Sequence, residues 1–103
     1  MPMKSRDNEL GVGQAWQDVK ASRVLDTNYT NTTGRPIAVS VGILSTATPI
    51  YHGIVAGVIA AMLQINTANN RASFGFVVPP GAVYSVTLSA GTAGSIDTWS
   101  ELR

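Results

Sequence analysis

The sequence of 103 residues contains no cysteine, which excludes disulfides and any thiolate acting as nucleophile or metal ligand. Stability must come from the core and from any assembly. Histidine occurs once, as His52, and no Cys/His/Asp cluster has metal-ligand spacing. No Ser or Thr sits in a nucleophile-elbow pattern. Gly11-Val12-Gly13 is followed by neither a phosphate-loop lysine nor a dinucleotide-binding pattern, and reads as backbone freedom between tail and domain. These absences predict no cofactor and no catalytic metal. Long hydrophobic runs are also missing. The longest, Ile54 to Leu63, has ten residues, against the roughly 20 that a membrane-spanning helix needs. Met1 to Leu10 is polar and lacks the hydrophobic region of a signal peptide. The expectation is therefore no membrane insertion, with the protein held in the cytoplasm until a route other than secretion releases it. A net charge of +1 leaves little footprint for nucleic acid.

Charge is scarce in one region above all. Between Pro36 and Ile96, a stretch of 61 residues, Arg71 is the only formally charged residue. An isolated soluble domain scatters charge over its surface. A middle covered instead by Ser, Thr, Asn, Gln and small apolar groups points to another subunit or a neutral ligand, or to a Ser/Thr-covered β-protein with no special partner.

What the chain does contain is alternation. Ile37, Val39, Val41 and Ile43 share one parity, as do Phe74, Phe76 and Val78, and again Tyr84, Val86 and Leu88. Period two places each set on one face of a strand. Turn chemistry falls between the runs. Gly34-Arg35-Pro36 interrupts pairing, because proline has no amide hydrogen to donate. Pro79-Pro80-Gly81 suits a type II turn with Gly81 at the positive-φ position, making a hairpin or corner from Val78 to Tyr84. Ala56-Gly57 can reverse Ile50–Val55 onto Val58–Ile65, and Ala68-Asn69-Asn70 can reverse the chain again onto Arg71–Val78. Residues 53–64 have a helix-favouring share of Ala, Leu, Met and Gln, but two glycines and Ile/Val pairs favour the hairpin over a short buried helix. In the last segment Ile96 and Leu102 share a parity that Trp99 lacks, so either Trp99 faces the other way or a bulge shifts the register. The expected fold is all-β, a single antiparallel β-sandwich of about seven or eight strands, jelly-roll-like, with a meander left open. Residues 11–103 form it, and residues 1–10 form an N-terminal tail.

Three blocks carry a resemblance. They are residues 11–37, from Gly-Val-Gly-Gln-Ala-Trp-Gln-Asp-Val through Tyr-Thr-Asn-Thr-Thr-Gly-Arg-Pro-Ile; residues 76–86, Phe-Val-Val-Pro-Pro-Gly-Ala-Val-Tyr-Ser-Val; and residues 99–103, Trp-Ser-Glu-Leu-Arg. In this order they resemble a domain found at the distal end of tailed-bacteriophage tail fibres and tailspikes, or encoded as a small separate virion protein. From Leu44 to Ala72 only the rhythm of strands matches. The resemblance implies a virion protein assembled in the bacterial cytoplasm, a homotrimer by analogy with fibres and spikes, and contact with a bacterial surface glycan.

Trp16, Tyr29, Tyr51, Tyr84 and Trp99 are candidates for ligand or interface contact. Their rings can stack on sugars, although Trp and Tyr more commonly anchor cores and subunit interfaces. Asp18, Asp26, Asp97 and Glu101 are the carboxylates outside the tail. Glycoside hydrolysis needs two opposed carboxyl groups, but Asp18 and Asp97, beside the tryptophans, are expected to pair with Lys20, Arg23 or Arg103 at a solvated edge, and no enzyme is expected. His52 reads as an exposed strand residue. Asn28-Tyr29-Thr30 and Asn31-Thr32-Thr33 match the glycosylation sequon, yet their side chains are expected to bond locally to backbone or to line a polar edge. The polar stretches Ser45–Thr48 and Asn66–Asn70 read as loop ends available for recognition. Lys4, Arg6, Asp7 and Glu9 are the candidate tail anchor toward a larger virion protein. Two other roles fit the same features: a capsid decoration or head-fibre protein, and a trimerisation cap or chaperone of a longer fibre.

Overall fold

A computed structural model describes residues 9–103. Eight strands follow in order: β1 (Trp16–Asp18), β2 (Tyr29–Thr30), β3 (Ile37–Ser45), β4 (Ile50–Val55), β5 (Val58–Gln64), β6 (Asn70–Val78), β7 (Val83–Ala90) and β8 (Ser95–Leu102), with a single 3-10 turn at Lys20–Ser22. They form two four-stranded sheets, ordered β1-β8-β3-β6 and β2-β7-β4-β5. All pairings are antiparallel.

The first strand pairs with the eighth, the second with the seventh, the third with the sixth and the fourth with the fifth. The chain is thus one long hairpin whose successive rungs alternate between two layers, which is jelly-roll topology. Its tip is Ala56-Gly57, with φ of 51° and 80°, the positive values a tight hairpin turn requires at both central positions. The segment that could have been helical is therefore the β4–β5 hairpin.

The alternating sets face inward. Ile37, Val39, Val41, Ile43, Phe76, Val78, Tyr84, Val86 and Trp99 are buried between the sheets. Where two strands cross closely, the sequence supplies glycine. A Cβ on Gly53 would lie 2.7 Å from the Phe76 ring and 3.3 Å from that of Phe74, so the absent side chain is what lets the two phenylalanines of one sheet lie on the other.

One turn differs in role from the sequence expectation. Ala68-Asn69-Asn70 does not return β5 onto β6 as a hairpin; it crosses between sheets, and β6 pairs with β3. Pro79-Pro80-Gly81 takes the corner form of the two expected, carrying β6 of one sheet to β7 of the other: Gly81 has φ of 79° and Ala82 N–H donates to the Pro79 carbonyl at 3.2 Å. Alternation fixes which face a strand buries, not which strand lies beside it, and two facing sheets satisfy it as well as a hairpin does.

The parity conflict in β8 resolves through a bulge. Thr98 lies opposite Gly42 and Ile96 opposite Ile43, leaving Asp97 as the extra residue. Ile96 and Trp99 then both contribute to the core, and Leu102 takes the other face.

Candidate functional site

The three sequence blocks converge on one side chain. Glu101 is fully buried, because Trp99 faces the core and Glu101, two residues on, must share its face. Its carboxylate accepts five hydrogen bonds. Arg23 Nε and NH2 approach at 3.1 Å each, the Tyr84 hydroxyl at 2.8 Å, the Trp99 indole at 3.0 Å and Arg103 NH1 at 3.2 Å. Arg23 comes from the first block, Tyr84 from the second, Trp99 and Arg103 from the third. Tyr84 and Glu101 lie in opposite sheets, so the cluster joins the layers.

Tyr29 completes the arrangement. The Arg23 guanidinium lies 4.6 Å above the Tyr29 ring, which attracts a cation through its negative face. Tyr29 also meets Trp99 edge to face at 6.1 Å and Tyr84 at 6.0 Å, and its hydroxyl accepts the Val24 N–H at 2.8 Å. The Lys20–Ser22 turn aims Arg23 inward.

Burial alone pushes the Glu101 carboxyl up, but hydrogen bonds from Arg23, Tyr84 and Trp99, with the Arg23 charge, outweigh it and hold the group below its ordinary value. For Arg23, burial acts downward and is outweighed by the bonds and charge of Glu101, so its affinity for the proton rises. Burial, then the bond to Glu101, pushes Tyr84 up to about 12. A carboxylate with five donors has its acceptor sites filled. The cluster therefore holds the sandwich together and leaves Glu101 no site for a substrate proton or a metal.

A second clamp joins the first two blocks. Asn31 is buried and its amide nitrogen donates to the carbonyls of Arg35, Val78 and Pro79, while its oxygen accepts from Thr33 N–H and Oγ. The sequon side chain thus bonds locally to backbone, as expected.

The remaining candidates separate. Tyr51 and Trp99 are fully buried, so neither ring is open to a sugar within this chain. Tyr29 is half-buried in the cluster. Trp16 is 57 % exposed, contrary to a packing role inside the chain, because β1 is a three-residue edge strand that meets only β8. His52 is half-buried in the middle of β4 rather than exposed, with Met62 and Thr87 as its cross-strand neighbours. Asp97 pairs with Arg71 at 3.3 Å, not with Lys20, Arg23 or Arg103; the bulge turns it toward the surface beside β6. Asp18 accepts the Lys20 backbone N–H at 3.0 Å.

Lys4, Arg6 and Asp7 lie outside the described residues. Glu9 is exposed, and its carbonyl accepts a bond from Arg35 NH2 at 2.9 Å, while Val12 O accepts another from the same group. Gln14 donates to the Pro36 carbonyl at 2.8 Å. Gly11 and Gly13 therefore supply the positive φ of a fixed turn rather than slack between tail and domain.

The polar loops gather at the other end. Ile65 N–H donates to the Pro49 carbonyl at 3.0 Å, bringing the segment after β5 beside the one after β3. Gly94 N–H donates to the Tyr51 hydroxyl at 2.7 Å, and Gly91 lies against Thr48 and Pro49, which adds the β7–β8 loop. Thr46, Thr48, Asn66, Thr67 and Thr92 are exposed there. No charged residue lies in these three loops.

Fold and residues together define a jelly-roll β-sandwich with a buried ionic keystone at one end and neutral loops at the other. No family model, curated protein or solved structure matches the chain. Among the described residues, no three His, Cys, Asp or Glu side chains come together as a metal site would require.

Proposed function

We propose that this protein is a non-enzymatic structural component of a tailed-bacteriophage virion, acting as a homotrimer in the tail-fibre or tailspike apparatus and contributing to assembly and host-surface attachment. The three sequence blocks support the phage assignment. The structural observation that supports the attachment role is the placement of the two ends. The chain enters at Glu9 beside Arg35, at the start of β3. The neutral loops begin after Ser45, at its end. Nine or ten extended residues separate the two by about 30 Å.

A module that docks through its N-terminal tail and presents its far end to a target needs this polarity. The tail carries Lys4, Arg6, Asp7 and Glu9 for ionic contact with a larger virion protein. The loops carry hydroxyl and amide groups, which hydrogen-bond to the hydroxyls of a bacterial surface glycan without introducing charge.

Deletion of residues 1–10 tests the docking half of the proposal. The truncated protein is expected to keep its circular dichroism spectrum and to be missing from purified virions. Its incorporation at the normal level would overturn tail docking.

A further inference from the structure

The two outer sheet faces differ in charge. Register places Thr30 of β2, Val83, Ser85 and Thr87 of β7, Ile50, His52 and Ile54 of β4, and Ile59, Met62 and Gln64 of β5 on the outer side of their sheet. None bears a formal charge at neutral pH. Asp26 lies in the segment along β7, where its N–H bonds to the Val86 carbonyl. The opposite outer face carries Asp18 and the exposed Arg71–Asp97 pair.

The neutral face is also apolar at its β4–β5 side. Ile59 and Met62 are each more than half exposed, and on β7 Val83 is 41 % exposed. Exposed edge strands of monomers are commonly guarded by lysine, proline or an inward charge. β5 has none of these. It does contain a bulge, because Gly53 lies opposite Ala61 and Ile54 opposite Ile59, leaving Ala60 extra. That bulge twists the edge and disfavours extending the ladder into another chain, so contact through side chains is the geometry left.

From these observations we infer that the outer face of the β2-β7-β4-β5 sheet, centred on Ile54, Ile59 and Met62, is the surface through which copies of this chain pack against one another. An uncharged face packs against its own copy without burying any charge, whereas packing through the opposite face would have to desolvate Asp18 and the Arg71–Asp97 pair. The patch lies on the flank of the sandwich, not on either end. Copies arranged around an axis parallel to the strands therefore keep all their tails at one end and all their neutral loops at the other. This inference rests on the proposed oligomeric virion role and names the surface that role uses.

The test is the mass of the full chain by sedimentation equilibrium. The wild type is expected at three times the chain mass. Ile59→Thr with Met62→Lys, which keeps a β-branched residue and adds a charge at an exposed position, is expected to weaken association by about a hundredfold or more. Its circular dichroism spectrum should be that of a folded sandwich. Met62→Gln, with no added charge, should weaken association in the same direction and covers the case in which the double variant fails to fold. Val77→Lys, on the opposite face, should leave the mass unchanged. A trimer that persists in the folded double variant, or in Met62→Gln if the double variant does not fold, overturns this inference and leaves the oligomeric reading standing. So does one that dissociates with Val77→Lys alone. A monomeric wild type at micromolar concentration overturns both, including the case in which a different virion protein covers the patch.

Discussion

Replacing Glu101 by Gln should destabilise the domain more than any surface change. The substitution keeps the shape but removes the charge that Arg23 and Arg103 share. It also puts an amide donor where five donors already point. Removing one partner of a buried ion pair costs about 3–5 kcal/mol. The Arg23 and Arg103 side chains retain 12 % and 23 % exposure, so water recovers part of that loss and about 3 kcal/mol is the appropriate figure. For a domain near 100 residues, each kcal/mol shifts the midpoint by about 4–8 °C, which predicts a fall of about 12–25 °C. Thermal unfolding at pH 7, followed by near-ultraviolet circular dichroism of Trp99 and by calorimetry, measures it. The pH dependence is a second readout. Because the folded carboxyl is held below its ordinary value of 4.5, the stability it contributes is present above that value and is lost as pH falls through the lower, folded one. The wild type should lose stability below about pH 4.5 through this group, and Glu101→Gln should lack that part of the acid limb. A loss under about 1 kcal/mol at pH 7, with an unchanged acid limb, would refute the keystone assignment.

Other consequences are open to similar measurements. Tyr84, whose folded value is raised to about 12, contributes stability that is present below its ordinary value of 10 and lost as pH rises toward 12; Tyr84→Phe should remove that alkaline loss in pH-dependent denaturation. Gly53→Ala places a methyl group 2.7 Å from the Phe76 ring and should cost about 1–3 kcal/mol by urea denaturation, whereas a neutral result would contradict the close sheet contact there. Asn31→Ala removes the amide donor shared by the Arg35, Val78 and Pro79 carbonyls and takes the acceptor from the Thr33 N–H; it should cost about 2–3 kcal/mol, with hydrogen exchange accelerating at Gly81, whose N–H bonds to the Asn31 carbonyl. Ala56→Asn relieves a left-handed backbone at a residue that disfavours it, and a gain of about 0.5–1 kcal/mol is expected.

Much of the architecture was legible because alternation is a local property. The parities of residues 37–43, 74–78 and 84–88 identified the inward faces, and the turn residues at 56–57 and 79–81 fell where the chain reverses or bends. Strand neighbours were not legible. β3 and β8 pair across more than fifty residues of chain, and no short-range pattern encodes that choice. The keystone was missed for a related reason. Charge near the chain terminus reads as solvated, and only the pairing of β8 with β3 places Glu101 inside. One signal was available: Trp99 and Glu101 share a parity, so a buried tryptophan carries the carboxylate inward with it. Trp16, a candidate for ligand or interface contact, is left at the surface by the edge position of β1, a placement that alternation alone does not reveal.

The three sequence blocks have a physical role in the fold. Arg23, Tyr29 and Asn31 from the first, Tyr84 from the second, and Trp99, Glu101 and Arg103 from the third fasten the two sheets at the end where the tail enters. The middle of the chain, free of that constraint, supplies the neutral loops and the flank proposed for self-association. Where the two kinds of residue alternate along one strand, as Tyr84 and Val83 do, they lie on opposite faces of the sheet.

The position and copy number of the protein in intact virions test the central claim most directly, through cryo-electron microscopy combined with quantitative mass spectrometry. A few trimers at the tail, with residues 1–10 against a larger protein and the Thr46–Pro49 loop pointing outward, are the predicted result. Copies numbering in the hundreds on the capsid surface would contradict the tail-fibre role and assign the same sandwich to decoration of the head.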